Sequence, residues 1–278
     1  TAYTEMYNRY VNGKKPEHLL VNGHEPPNIK ASASDPLITP PKQQVEALIA
    51  LYNQGQLEEV VTQATILVEQ FPQAVTVYNI LGVANKELRH FDAAIKSFNR
   101  AIEIKPDYVD AHNNLGIALK ENGDLAAAVD MYRRTLKIRP DYAEAHSNLG
   151  NALKDQGDLK RAIASCKRAI EIRPDYAVAH NNLGISLQEK GDLSAAIRSC
   201  QRAIEISPDY AEAHSNLGNA LQEKGDLPGA IKSYNRALKI NPSFTSARGH
   251  KLRQQSFICD WDGIAADRDL IPGLGVST

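Results

Sequence analysis

The chain has 278 residues, and its 32 basic side chains nearly balance its 33 acidic ones, which gives a formal net charge of −1. Because the charges are balanced, the chain has no excess of basic residues that would bind nucleic acid or an anionic membrane surface. No apolar run approaches the roughly 20 residues of a membrane span. Three cysteines without a disulfide framework favour a reducing, cytoplasmic compartment, although a chain that begins at Thr1 leaves a processed N-terminus and an extracellular location open.

Residues 1–40 predict an extended N-terminal arm, because they precede any repeat and carry five prolines and two Asn-Gly turn signals. A terminal arm is normally ordered only where it docks. We therefore expect this arm to lie against a helical surface, either of its own chain or of a neighbour. Docking on a neighbour is a contact that need not close into a ring. An alternative function is thus a self-assembling structural protein that forms head-to-tail oligomers or filaments.

A 34-residue pattern recurs six times from residue 41 to residue 244. The clearest copy, residues 109–142, reads VDAHNNLGIALKENGDLAAAVDMYRRTLKIRPDY. Apolar residues fall at helical spacing on both sides of its Asn-Gly-Asp turn, and Pro140 ends the second half. Each copy therefore predicts a helical hairpin, which buries its apolar faces only by stacking on its neighbours. The copies are residues 41–74, 75–108, 109–142, 143–176, 177–210 and 211–244.

Two columns of small residues run through these copies and let helix axes approach closely. They predict an all-α solenoid whose concave side is lined mainly by the first helix of each copy. The first column is Gly82, Gly116, Gly150, Gly184 and Gly218, and the second is Ala94, Ala128, Ala162, Ala196 and Ala230.

The columns resemble the tetratricopeptide repeat family, through Leu115-Gly116, Ala128, Tyr132 and Pro140. The resemblance covers residues 41–244. It implies a right-handed superhelix of helical hairpins that binds a protein or peptide in its concave groove. The sequence departs from the family where Arg-His replaces the usual Gly-Asp at 89–90. In the first copy Ala-Leu stands at 47–48 in place of Leu-Gly, so we expect irregular packing there.

Residues 245–278 predict a capping helix, over 247–257, followed by the start of a linker. The segments CDWD and IPGLG in this tail resemble the stretch that joins tetratricopeptide repeats to the catalytic region in O-linked N-acetylglucosaminyltransferases of the bacterial, SPINDLY-like kind. The resemblance implies that a longer parent carries a glycosyltransferase region. We find no phosphate loop and no nucleophile with its base. The chain itself is predicted to be no enzyme and to use no cofactor.

One column of asparagines is the main candidate site. An amide carries both a donor and an acceptor, so a row of amides facing the groove can hold the backbone of an extended peptide without reading its side chains. The resemblance supports this role, since the superhelices of O-GlcNAc transferases use inward asparagines in this way. In the alternative, the amides bond only neighbouring turns and water. The column is Asn114, Asn148, Asn182 and Asn216.

Neighbouring columns complete the candidate groove. Apolar and amide positions alternate at Ile117, Asn151, Ile185 and Asn219. Lys120 and Lys154 lie beside an acidic column and favour a solvated rim, with a clamp for a ligand carboxylate as the alternative. A histidine column recurs once per copy, too widely spaced for the ~2 Å bonds of one zinc ion. We therefore predict no metal, and expect these histidines to pack at the joints between copies. The histidines are His112, His146, His180 and His214.

Overall fold

A computed structural model describes residues 40–258 of the chain. The predicted contacts of the N-terminal arm and the linker-like tail fall on residues 1–39 and 259–278, which lie outside this range, as does the third cysteine. Within residues 40–258 there are thirteen helices and no strand. The chain is therefore an all-α solenoid of helical hairpins, as predicted.

The helices follow one another with short connections. In chain order they are α1 Lys42–Asn53, α2 Leu57–Gln70, α3 Val75–Glu87, α4 Phe91–Ile104, α5 Val109–Glu121, α6 Leu125–Ile138, α7 Ala143–Asp155, α8 Leu159–Ile172, α9 Ala177–Glu189, α10 Leu193–Ile206, α11 Ala211–Lys224, α12 Leu227–Ile240 and α13 Thr245–Phe257. We call the odd-numbered helices α1–α11 the inner helices and the even-numbered helices α2–α12 the outer helices.

The contacts between helices define the curvature of the stack. Each outer helix packs on the inner helix before it and on the helix after it. Successive inner helices also contact each other, whereas no contact joins successive outer helices within residues 40–258. The layer with the closer spacing lies on the inside of a curve. The inner helices therefore line the concave side, which agrees with the prediction from the small-residue columns.

The turn within four of the six hairpins follows from a Gly-Asp pair, which the 109–142 copy presents as Gly123-Asp124. Gly123 adopts φ +93°, a conformation that glycine reaches without a steric penalty. Asp124 then accepts a hydrogen bond from the backbone N–H of Ala127 at 3.0 Å, which caps the outer helix. The second copy keeps the turn without these residues. There Arg89 adopts φ 62°, and His90 precedes the helix without a side-chain cap.

The glycine column is the point of closest approach within each hairpin. A Cβ atom built on Gly116 would lie 2.6 Å from the ring of Tyr132. One built on Gly150 would lie 2.5 Å from the sulfur of Cys166 and 3.1 Å from the backbone oxygen of Ala162. The inner helix therefore lies directly against the outer helix at this column, with a side chain in contact at Gly116 and both a side chain and a backbone atom in contact at Gly150.

The first copy compensates for its missing glycine. Leu48 occupies the glycine position and Ala64 the position of Tyr132, and both are fully buried. The sizes of the two partners are thus exchanged. Helices α1 and α2 nevertheless approach each other less closely than the two helices of the other hairpins do. This agrees with the expectation of irregular packing, because a leucine holds helix axes further apart than a glycine does.

The last helix closes the C-terminal end of the stack. Helix α13, predicted over 247–257, packs on α12 and α11. Its Ala247 is fully buried, and the ring of His250 stacks on Tyr234 with centroids 5.8 Å apart. None of the helices in residues 40–258 has the length and apolarity that crossing a bilayer requires.

Candidate peptide-binding groove

The asparagine column lies on the second turn of four inner helices, where each amide reaches the preceding inner helix. In every case the side-chain N–H donates to an amide or hydroxyl oxygen 35 residues earlier. The bonds run from Asn114 to Asn79 (3.0 Å), from Asn148 to Asn113 (3.2 Å), from Asn182 to Ser147 (3.1 Å) and from Asn216 to Asn181 (2.9 Å).

These bonds change the expected placement of the column. The helical projection directs the amides into the groove, but the structure places them between successive inner helices. Asn114 is only 5% exposed, so a ligand has little access to its side chain. Asn148, Asn182 and Asn216 are half-buried. An amide has two N–H donors and an oxygen with two lone pairs. Each of these three therefore retains donor and acceptor capacity after its interhelical bond, with its orientation fixed by that bond.

The sequence did not lead us to predict the residues that accept these interhelical hydrogen bonds. Three are amide side chains, at Asn79, Asn113 and Asn181, and one is the hydroxyl of Ser147. The spacing in the sequence could have indicated them, because each acceptor lies 35 residues, one repeat plus one residue, before an asparagine of the column. A shift of one residue past a full period places two side chains on facing sides of adjacent helices, where they can bond.

The alternating row at Ile117, Asn151, Ile185 and Asn219 lies one turn further along the inner helices. All four side chains are half-buried. Ile117 packs against the core cluster that contains Tyr132, and Asn219 accepts a hydrogen bond from the hydroxyl of Tyr234 at 2.8 Å. We call this row the floor of the candidate groove; at Asn219 the side chain that contacts it comes from the outer helix of the same repeat.

The lysines of the groove are engaged in ion pairs. Lys120 lies 2.9 Å and Lys154 2.6 Å from the carboxylate of Asp155. Burial alone would raise the pKa of Asp155, but the hydrogen bonds and charges of the two lysines outweigh burial and lower it. Lys154 also lies 3.8 Å from Glu189 of the next repeat. A ligand carboxylate at this place would have to compete with Asp155, so the arrangement favours the rim interpretation over the clamp.

The histidines lie at the joints between copies, as predicted. His146 donates its Nε2–H to the backbone oxygen of Pro140 at 3.0 Å, and the other three make the same bond at 2.8–3.0 Å. Burial lowers the pKa of His146 and of His214 below the usual 6.5. No group of three metal-ligating side chains is brought together within residues 40–258. These imidazoles therefore fix the turn that leads from one copy to the next.

The repeats match known families. Family models described as tetratricopeptide or TPR repeats match residues 90–123, 113–177, 165–198, 186–225 and 211–244, which together cover more than half of the chain. The chain belongs to the tetratricopeptide repeat proteins. Proteins of this fold are generally non-catalytic scaffolds that bind protein or peptide partners. No curated protein sequence matches the chain.

Solved structures support the same fold for this tetratricopeptide repeat protein. It is similar to one chain of the APC/C hetero-tetramer Cut9–Hcn1 (TM-score 0.69, 16% identity), with 76% of this chain and 42% of that chain covered. It is also similar to pilF of Pseudomonas aeruginosa, with a TM-score of 0.62 and 18% identity over 72% of this chain and 92% of that chain. A third similar structure is YrrB, named as a TPR protein with an unusual peptide-binding site, with a TM-score of 0.50 and 21% identity over 68% of this chain and 97% of that chain. The chain thus spans about two fifths of the first of these proteins.

Proposed function

We propose that this tetratricopeptide repeat protein is a non-catalytic scaffold that holds an extended peptide or protein segment along its inner helices. The proposal rests on one observation, the row of half-buried amides at Asn148, Asn182 and Asn216, each held by a hydrogen bond to the preceding repeat. One N–H of each amide is used in that bond, and the other N–H and the oxygen can bond the C=O and N–H of a peptide unit.

The interhelical bonds support binding as well as stability. A free asparagine side chain would lose rotamer freedom when it bound a ligand, whereas an amide already fixed by its neighbour has less to lose. The bond to the preceding helix is therefore not an alternative to ligand binding for the half-buried members of the row. Asn114 is only 5% exposed, and its hydrogen bond to Asn79 accounts for its position without a ligand. It is therefore not one of the proposed ligand contacts.

The spacing of the row suits an extended chain. Packed helices lie about 8–10 Å apart, and an extended chain advances about 3.3 Å per residue. One asparagine therefore meets about every third residue of the ligand. Contacts of this kind go to the backbone, so recognition by the amides tolerates many sequences, and the side chains of the ligand are left for other positions of the groove.

The test is the replacement Asn148→Ala with Asn182→Ala, measured by fluorescence anisotropy against a labelled pool of unstructured peptides. Each lost hydrogen bond costs about 0.5–1.5 kcal/mol, so the double variant should bind about 1–3 kcal/mol more weakly. The matched control replaces Asn99 and Asn235, which are exposed on outer helices, with alanine. An unchanged affinity in a folded double variant, or an equal loss in the control, would refute the proposal.

We also propose that the parent protein resembles an O-GlcNAc transferase, which would add a sugar-transfer region after these repeats. The proposal rests on the tail residues 259–275, which lie outside the part of the chain described by the structure. Reading the coding sequence beyond Thr278 tests it directly. A glycosyltransferase region there supports the proposal, and any other continuation contradicts it.

A further inference from the structure

The floor of the groove differs between repeats because of the residue that lies beneath it. Each member of the row Ile117, Asn151, Ile185 and Asn219 follows a glycine that packs on one residue of the outer helix. That residue is tyrosine in two repeats and cysteine in the other two. The glycines and the residues that they contact are Gly116 with Tyr132, Gly150 with Cys166, Gly184 with Cys200 and Gly218 with Tyr234.

The two asparagines of the floor therefore have different partners. The buried Tyr234 hydroxyl lies 2.8 Å from Oδ1 of Asn219 and 3.0 Å from Oε1 of Gln222, so it donates to the underside of this part of the groove. In the repeat of Asn151 the corresponding outer-helix residue is Cys166, whose sulfur would lie 2.5 Å from a Cβ atom on Gly150. Within residues 40–258, the amide of Asn151 makes no hydrogen bond to the protein. Its donors and its oxygen are therefore all left for a ligand, whereas the oxygen of Asn219 already accepts the bond from Tyr234.

The residues on either side of Asn151 are apolar. Ile117 lies one repeat before it and Ile185 one repeat after it, and both are half-buried on the same face of the stack. With inner helices about 8–10 Å apart and about 3.3 Å per residue of extended chain, each isoleucine is about three ligand residues from Asn151. Two ligand side chains about six residues apart also point to the same side, because side chains of an extended chain alternate.

We propose that Asn151 is the central anchor of the peptide site, and that the ligand is an extended segment with two apolar side chains about six residues apart. The amide of Asn151 bonds the N–H and C=O of the peptide unit midway between them, and the two side chains contact Ile117 and Ile185. Cys166 acts as a positioning residue, because its small side chain leaves Asn151 unengaged. The inference rests on the proposed function and adds a register and a ligand class to it.

The probes for this site are synthetic peptides of about 13 residues, long enough to extend across about four repeats. The first has two leucines separated by five polar residues. The second has the same composition with the leucines separated by two residues. The third is the first peptide with an N-methyl group on the central peptide bond, which removes one donor. Affinity is measured for each by fluorescence anisotropy.

Two variants and one control test the residues. Asn151→Ala removes the amide. Cys166→Tyr places a hydroxyl below Asn151, where Tyr234 stands below Asn219. Cys200→Tyr adds the same bulk in the repeat of Ile185, whose floor residue has no amide, and the contact of Gly116 with Tyr132 shows that the fold accommodates a tyrosine in a repeat with isoleucine at the floor. Both tyrosine variants enlarge a buried position, so Cys200→Tyr controls for altered helix packing.

We expect the first peptide to bind the unchanged protein best. Asn151→Ala and Cys166→Tyr should weaken its binding about 3–10-fold, with Cys200→Tyr much less affected. N-methylation should weaken binding to the unchanged protein but not to Asn151→Ala.

The inference is overturned if Asn151→Ala binds as the unchanged protein does while Asn148→Ala with Asn182→Ala still weakens binding. In that case the proposed function survives. If neither leucine peptide nor the unstructured pool binds the unchanged protein, both the inference and the proposed function fail. Should Cys166→Tyr not fold, the comparison of the N-methylated peptide on Asn151→Ala decides.

Discussion

The glycine column makes a sharp prediction about packing between the two helices of a repeat. Replacing Gly150 with alanine adds a Cβ that would lie 2.5 Å from the sulfur of Cys166 and 3.1 Å from the backbone oxygen of Ala162. The sulfur can move, but the backbone oxygen moves only with its helix. We therefore expect a packing penalty in the upper part of the ~1–3 kcal/mol range of overpacked cores.

Helix propensity acts in the opposite direction. Alanine is about 0.8–1.0 kcal/mol more favourable than glycine within a helix, so Gly150→Ala should lower the free energy of unfolding by about 1–2 kcal/mol overall. The control is Gly249→Ala in α13. Gly249 is exposed, and a Cβ there meets no atom within 4 Å. This substitution should raise the free energy of unfolding by about 0.8–1.0 kcal/mol.

The difference between the two substitutions isolates the packing penalty, because the propensity gain is common to both. Urea unfolding followed by circular dichroism measures it, with the slope m compared between variants, since a repeat protein can unfold in parts. Adding Cys166→Ala to Gly150→Ala removes the sulfur contact and should recover part of the loss. If Gly150→Ala stabilises the protein as much as Gly249→Ala does, the close approach at this column is wrong.

Three further predictions follow from the turns and the buried groups. Arg89→Gly should raise the thermal midpoint, because the left-handed backbone costs a non-glycine residue about 1–2 kcal/mol; an unchanged midpoint contradicts this. Burial lowers the pKa of His146 and His214 below 6.5, so the unfolded chain binds more protons just below that pH, and stability should fall as the pH drops through this range. Urea titrations at pH 7 and about pH 5 check it, and equal or greater stability at the lower pH would count against it. Burial raises the pKa of the Cys166 and Cys200 thiols to about 12. In a variant whose third cysteine is replaced by serine, iodoacetamide should therefore label these two thiols only after unfolding. Labelling of the native protein would contradict their burial.

The fold was predictable because repetition replaces the information that an alignment would supply. Gly116 and its equivalents recur at one position, and the residue that each one contacts recurs 16 places later, so the close approach is visible as two linked columns. The first copy follows the same rule with sizes exchanged, since Leu48 and Ala64 are also 16 places apart and both are fully buried. The turn at Arg89 shows that a stack can impose a backbone conformation that the local sequence disfavours.

The groove was less predictable than the fold. A helical projection gives the direction of a side chain around its own axis, but not the distance to the next inner helix. Asn148 was therefore predicted to face the groove, while in the structure its amide bonds Asn113 on the adjacent helix. For the same reason the sequence did not predict that Asn219 is hydrogen-bonded and Asn151 is not. That difference depends on whether the outer helix of the repeat carries tyrosine or cysteine at the position facing the glycine. Such differences appear only when two helices are placed against each other.

The most direct test of the proposed function is the position of a bound peptide on the stack. Photoreactive benzoylphenylalanine is introduced in place of Gln188 on the inner helix α9 and, in a separate variant, in place of Gln201, which is exposed on the outer helix α10. After irradiation with the labelled peptide pool, the crosslinked fraction is measured for each. The proposed concave site predicts crosslinks from the inner position and none above background from the outer one, and crosslinks from the outer position alone would contradict it.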